Sequence, residues 1–158
     1  MTAVLAEPPL YDDVPPSASG SPLTRFIGRD AEVATLLATI PGTRLLSLVG
    51  PGGSGKTRLA RAVLGGMSEA DSQRTWWVPL AQLDRPALIV AAVADAVGVT
   101  EVPGRCLRAA VIAYLSEHDG LLVLDNCEHL VAECAALVGD LLRACPGLRV
   151  LTTSREPL

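Results

Sequence analysis

Gly50-Pro51-Gly52-Gly53-Ser54-Gly55-Lys56-Thr57 fits the pattern G-x-x-x-x-G-K-[ST], and its flanks are those the pattern requires. Before it runs Leu45-Leu46-Ser47-Leu48-Val49, an apolar stretch short enough for a buried strand. After it, Leu59, Ala60, Val63, Leu64 and Met67 recur at helical spacing, so a helix is expected to open near Lys56. Glycines let the backbone curl until successive N–H groups point inward, and a helix N-terminus adds unpaired donors and partial positive charge. Such a loop cradles phosphates: Gly50, Gly52, Gly53, Ser54, Gly55, Lys56, Thr57 and Arg58 form the expected binding set, with Lys56 reaching the β- and γ-phosphates. The Thr57 hydroxyl would take a place on Mg²⁺. Lys56 is the sole lysine in a chain whose other twelve basic residues are arginines. A compact ammonium is kept where triphosphate chemistry suits it.

At 158 residues, the chain is long enough for one domain with its own core. It is 49% hydrophobic and only 3% aromatic, a globular composition built on Ala, Leu and Val. Net charge is −4 with no basic cluster, which argues against direct nucleic-acid binding by this chain. No apolar run reaches the length of a membrane span, and the N-terminus lacks a signal peptide's basic region, so a cytoplasmic location is expected. Cys106, Cys127, Cys134 and Cys145 form no C-x-x-C pair, and no histidine sits at ligand spacing from two of them; they read as reduced and structural.

Residues 1–22 hold five of the twelve prolines with Glu7, Asp12 and Asp13, and read as a disordered leader ahead of a domain over 23–158. Order is expected from Phe26, with a helix carrying Val33, Leu36, Leu37 and Ile40 that Pro41-Gly42 stops. Thr75-Trp76-Trp77-Val78-Pro79-Leu80 is strand-like, and Pro79 assigns it to an edge or a strand end. Asp84 looks like the N-cap of a helix with Pro86 in its first turn. A second helix is expected from Arg105 to Glu117. The run from Gly120 to Asp125 is a wholly apolar strand ending in a carboxylate. A helix with Leu130, Val131, Cys134, Leu137, Val138, Leu141, Leu142 and Cys145 on one stripe follows, then a strand over Leu148–Thr153. Alternating helices and doubly apolar strands indicate an α/β fold, a parallel sheet covered on both faces.

Ligands of such sheets sit beyond the carboxyl ends of the strands. Besides the glycine loop, two polar groups fall there. Asp125 follows four apolar residues, where a carboxylate can hold Mg²⁺, and Arg155 directly follows the last strand, where it could sense a γ-phosphate. Asn126 cannot act as a base. Glu128 is therefore the candidate for orienting a water, while His118 and His129 read as surface groups.

Four segments, F-I-G-R-D-A-E (26–32), G-P-G-G-S-G-K-T (50–57), L-L-V-L-D-N-C-E-H-L (121–130) and L-T-T-S-R-E-P-L (151–158), together resemble the STAND-class signalling ATPases with an NB-ARC-like P-loop NTPase domain. The resemblance is nearest to bacterial regulators that couple the ATPase to tetratricopeptide repeats and often to a LuxR-type helix-turn-helix. It implies that Phe26, Ile27, Gly28 and Arg29 lie against the base of ATP or ADP. It also implies that Lys56 and Thr57 serve phosphate and Mg²⁺, that Asp125 is the Walker B aspartate, and that Arg155 is the sensor arginine. It implies sheet order 1-4-3-2 with the Trp76 strand outermost.

Two departures matter. Many family members carry a second acid where this chain has Asn126, so hydrolysis is expected to be slow. The sequence also ends at Leu158, so the family's fifth strand, helical lid, winged-helix and repeat domains are expected to be missing. The resulting expectation is the nucleotide-binding part of a regulatory ATP switch of a transcriptional regulator, partnered by C-terminal regulatory domains or other proteins. A P-loop small-molecule kinase and a non-catalytic interaction fragment are the alternatives; the first would need an arginine-rich lid after the Asp125 strand.

Overall fold

A computed structural model describes residues 29–101, 104 and 106–158. The proline-rich leader, Phe26, Ile27, Gly28 and Arg105 thus lie outside the described residues. Four parallel strands, β1 (Leu45–Val49), β2 (Thr75–Pro79), β3 (Gly120–Asp125) and β4 (Leu148–Ser154), pair in the order β1-β4-β3-β2. The order implied by the family resemblance is the order observed. β3 is apolar at almost every position and occupies an inner place, where all of its residues are buried. β2 takes the edge, where the missing donor of Pro79 costs no ladder bond.

Successive side chains of a strand face opposite ways, and the core divides accordingly. Leu122 and Leu124 join Val78, Leu148 and Val150 in a cluster covered by α4 (Ile89–Val97), α5 (Leu107–Ser116) and α6 (Val131–Ala144). Leu121, Val123 and Leu151 face the other way, onto Ala60 and Val63 of α2 (Lys56–Gly65), with Val33, Leu36 and Leu37 of α1 (Asp30–Thr39) packed outside them. Helices thus cover both faces of the sheet. Arg44 closes the far end of α6: its guanidinium donates to the carbonyls of Leu142 at 3.0 Å and Cys145 at 2.7 Å, and to Leu148 at 2.8 Å. A cation there satisfies carbonyls that no further helical turn can reach.

The helix starts differ from expectation in three places. Asp84 is not an N-cap: a 3₁₀ turn at Pro86–Leu88 precedes α4, whose cap position is Leu88, and the Asp84 carboxylate pairs with Arg85 in solvent. A separate 3₁₀ turn at Cys127–His129 precedes the stripe expected from Leu130, and α6 starts at Val131 with Leu130 as its cap. The short helix α3 (Glu69–Ser72), capped by the Ser68 hydroxyl on the Asp71 N–H, has too few residues to show periodicity.

Candidate functional site

The loop after β1 begins tied to the end of β4, where the Gly50 N–H donates to the Ser154 carbonyl at 3.3 Å. Gly53 and Gly55 then take left-handed φ values of 75° and 83°, which only glycine adopts without strain. A β-carbon at either would meet nothing within 4 Å, so the space beside both glycines is open. Gly55 is the N-cap of α2 and brings no side chain to its first-turn N–H groups, which are left to an outside acceptor. The Ser54 hydroxyl is buried without a hydrogen-bond partner. Open glycines, an uncapped helix start and an orphaned hydroxyl are the features a phosphate would satisfy, so these residues fit the group.

Lys56 curls back over the loop, its Nζ donating to the carbonyls of Gly50 at 2.7 Å and Pro51 at 3.0 Å. Both are ordinary neutral acceptors that a phosphate oxygen can replace with a charge-assisted bond. Arg29 holds the loop from α1 by donating to the Ser54 carbonyl at 2.8 Å, with Glu32 at 3.3 Å steadying its guanidinium. Arg29, Thr35, Ser47, Val49, Pro51 and Lys56 border a cleft of about 580 Å³ along the outer side of β1. Arg58 lies exposed on the first turn of α2.

Asp125, at the end of β3, is 7% exposed, and one oxygen does most of its bonding. Oδ1 accepts from Thr57 Oγ1 at 2.7 Å and from Thr153 Oγ1 at 2.6 Å. Thr153 in turn accepts from the Asn126 N–H at 2.8 Å. Asn126 has φ 68°, a left-handed turn that Asn tolerates better than other residues with a side chain, and it swings the chain into the Cys127–His129 turn. Thr57 and Asp125 are the oxygen donors in this constellation able to hold a hard divalent cation.

That turn presents Glu128 to Arg155. The carboxylate, 18% exposed, lies 2.9 Å from an Arg155 side chain that is 63% exposed. The same guanidinium lies against Gly52, where an added β-carbon would come within 3.4 Å of it. Lys56, Thr57, Asp125, Glu128 and Arg155 thus converge on one end of the sheet. His129 points away and bonds the Leu83 carbonyl at 2.8 Å, and His118 stacks on Tyr114, so neither belongs to the site. All four cysteines are free, with only Cys106 exposed. The neighbouring Cys134 thiol, and then burial, hold the Cys127 thiol far above its ordinary pKa.

Thr153 is the residue that sequence reasoning did not single out. Its signal was the change from apolar Val150-Leu151 to polar Thr152-Thr153-Ser154 within a buried strand. Buried hydroxyls at a strand end need partners, and Asp125 and Ser47 supply them; Thr152 Oγ1 donates to Ser47 Oγ at 2.9 Å.

The family model described as "Novel STAND NTPase 1" matches residues 21–157. Proteins named as HTH-type transcriptional regulators, from Mycobacterium bovis and Mycobacterium tuberculosis, are 42% identical over 121 residues, covering 77% of this chain and 14% of theirs. The chain therefore spans about a seventh of the length of these relatives. Among solved structures, Cdc6p from Pyrobaculum aerophilum superposes with a TM-score of 0.66 at 17% identity, over 89% of this chain and 42% of that one. A STAND protein with a tetratricopeptide repeat sensor from Pyrococcus horikoshii gives a TM-score of 0.51 at 15% identity, over 87% and 22%. These two likenesses speak for the fold. No described helix is long and apolar enough to cross a membrane.

Proposed function

Because the chain belongs to the novel STAND NTPase 1 family, we propose that it is the ATP- or ADP-binding module of a regulatory switch in which occupancy, more than turnover, sets the state. The observation that carries this reading is the meeting of the loop's Thr57 hydroxyl with the Asp125 carboxylate, which joins a phosphate cradle to a cation-binding acid. The backbone N–H groups of residues 52–57 and the Lys56 ammonium would bind the phosphates, with Thr57 and Asp125 holding Mg²⁺. When bound, the ion would supply neutralisation of the phosphate charge. Arg155 would sense the γ-phosphate, and Arg29, with Phe26, Ile27 and Gly28, would border the base. Hydrolysis would be slow, since Asn126 offers no base. Transcriptional regulation by the whole protein, through further domains, is the reading that the mycobacterial relatives' names support.

Mg-ADP and Mg-ATP titrated into this chain should raise its melting temperature. A ligand at a hundredfold excess over its Kd stabilises the native state by about 2.7 kcal/mol. Lys56→Ala should remove most of that shift. An undiminished shift in the variant would put the nucleotide elsewhere.

A further inference from the structure

We infer that Glu128 is a positioning residue that holds down the affinity for triphosphate relative to diphosphate, by acting as the counter-anion of Arg155 until a γ-phosphate competes for that guanidinium. The inference rests on the nucleotide-binding reading above and assigns Glu128 a task distinct from orienting water.

Four observations bear on it. Glu128 sits on the 3₁₀ turn directly after Asp125-Asn126, and the left-handed Asn126 turns that segment toward the end of β4. Its carboxylate is mostly buried, so the charge calls for a partner, and Arg155 at 2.9 Å supplies it. Arg155 is more exposed and lies against Gly52 of the loop, so its guanidinium is in reach of both the carboxylate and any anion the loop holds. Finally, a pair with one exposed member is weak enough to exchange partners. A terminal phosphate carries more charge than a carboxylate and accepts bidentate bonds from arginine. A diphosphate has no group at that position and leaves the pair alone. Only the triphosphate must break the Arg155–Glu128 contact, so the contact lowers triphosphate affinity selectively. The same exchange frees the Glu128 carboxylate beside the nucleotide when, and only when, the third phosphate is present.

The test compares Kd values for Mg-ADP and for the Mg complex of the non-hydrolysable β,γ-imido analogue of ATP. It uses the unsubstituted chain, Glu128→Gln, Arg155→Ala and the double variant. Glu128→Gln should tighten the triphosphate analogue by about fivefold, the order set by one partly exposed ion pair, and leave ADP within about twofold. In the Arg155→Ala background, the same substitution should change neither constant. A gain that persists without Arg155 would mean simple charge repulsion and would overturn the inference, as would equal changes for both nucleotides or none. If Glu128→Gln does not fold, Glu128→Asp, shorter by one methylene, should give the same selective gain at smaller size. An unsubstituted chain that binds neither nucleotide would remove the nucleotide reading and this inference with it. Binding of both with no selective effect of Glu128 would remove this inference alone.

Discussion

Thr57 Oγ1 lies 2.7 Å from Asp125 Oδ1, so the glycine loop and the end of β3 share one hydrogen bond across 68 positions of sequence. The same oxygen accepts from Thr153, which makes Asp125 both a structural acceptor and a candidate cation ligand. The two roles separate by substitution. Asp125→Asn keeps an amide oxygen for both hydroxyls and loses the charge. It should leave stability in the absence of nucleotide within about 1 kcal/mol while abolishing the Mg²⁺ dependence of nucleotide binding. Asp125→Ala also leaves the proton of the buried Thr153 hydroxyl without its acceptor and should cost about 1–3 kcal/mol. Urea unfolding with nucleotide titrations at varied Mg²⁺ measures both effects. Mg²⁺ dependence that survives in Asp125→Asn would contradict the cation role.

Arg44 offers a stability test away from the site. It donates to three carbonyls around the end of α6 and the start of β4, contacts that span about a hundred residues of sequence. Arg44→Ala should lower stability by about 1–3 kcal/mol. The loss should show most in amide exchange of Leu142 to Cys145. Protection unchanged there would mean solvent satisfies those carbonyls equally well.

What the sequence made legible follows from how local each signal is. The glycine loop, the apolar β3 and the polar residues closing β3 and β4 are contiguous patterns, and their places in the fold follow from them. The strand order rested on resemblance together with Pro79, since periodicity carries no information on pairing. The bond from Thr153 to Asp125 depends on the pairing of β3 with β4, and the pairing of Glu128 with Arg155 on the left-handed turn at Asn126. An Asn between an apolar strand and a helix does not announce positive φ. The start of α4 was misjudged for a related reason. Asp84 and Pro86 are good capping residues, but the chain spends Pro86–Leu88 in a tighter turn before α4 begins.

The thiols supply a pH prediction. Burial pushes the Cys145 thiol up against a smaller opposing effect of Arg44. A raised thiol keeps its proton in the native state after the unfolded chain has lost it. Its contribution is complete below the ordinary thiol range near pH 8.5 and is lost as pH rises toward the folded values. Stability should therefore fall as pH rises above about 8.5, and the fall should be shallower in Cys145→Ala. At pH 8, a thiol reagent should label Cys106 quickly and the other three only on unfolding. Rapid labelling of Cys127 in the native chain would contradict the packing described.

Asn126 joins backbone and turnover in one position. Its φ of 68° and ψ of 55° cost an ordinary side chain about 1–2 kcal/mol, while Asn, Asp and Gly bear them more readily. Asn126→Val should therefore destabilise by about that amount and Asn126→Gly hardly at all. For catalysis, the natural chain lacks an acid beside Asp125. A group that orients or deprotonates water contributes about 10²–10⁴-fold, and ordinary enzymes turn over at about 10 s⁻¹. ATP hydrolysis by this chain is expected at about 10⁻³–10⁻¹ s⁻¹ on that arithmetic. Asn126→Asp retains the left-handed turn and installs a carboxylate next to Asp125. It should raise turnover by about tenfold or more while changing Kd for the imido analogue little. Phosphate release measured at saturating Mg-ATP decides the matter. A natural chain working near 10 s⁻¹ would show that the slow-hydrolysis reading misjudged this position. An Asn126→Asp variant that folds and binds but hydrolyses no faster would do the same.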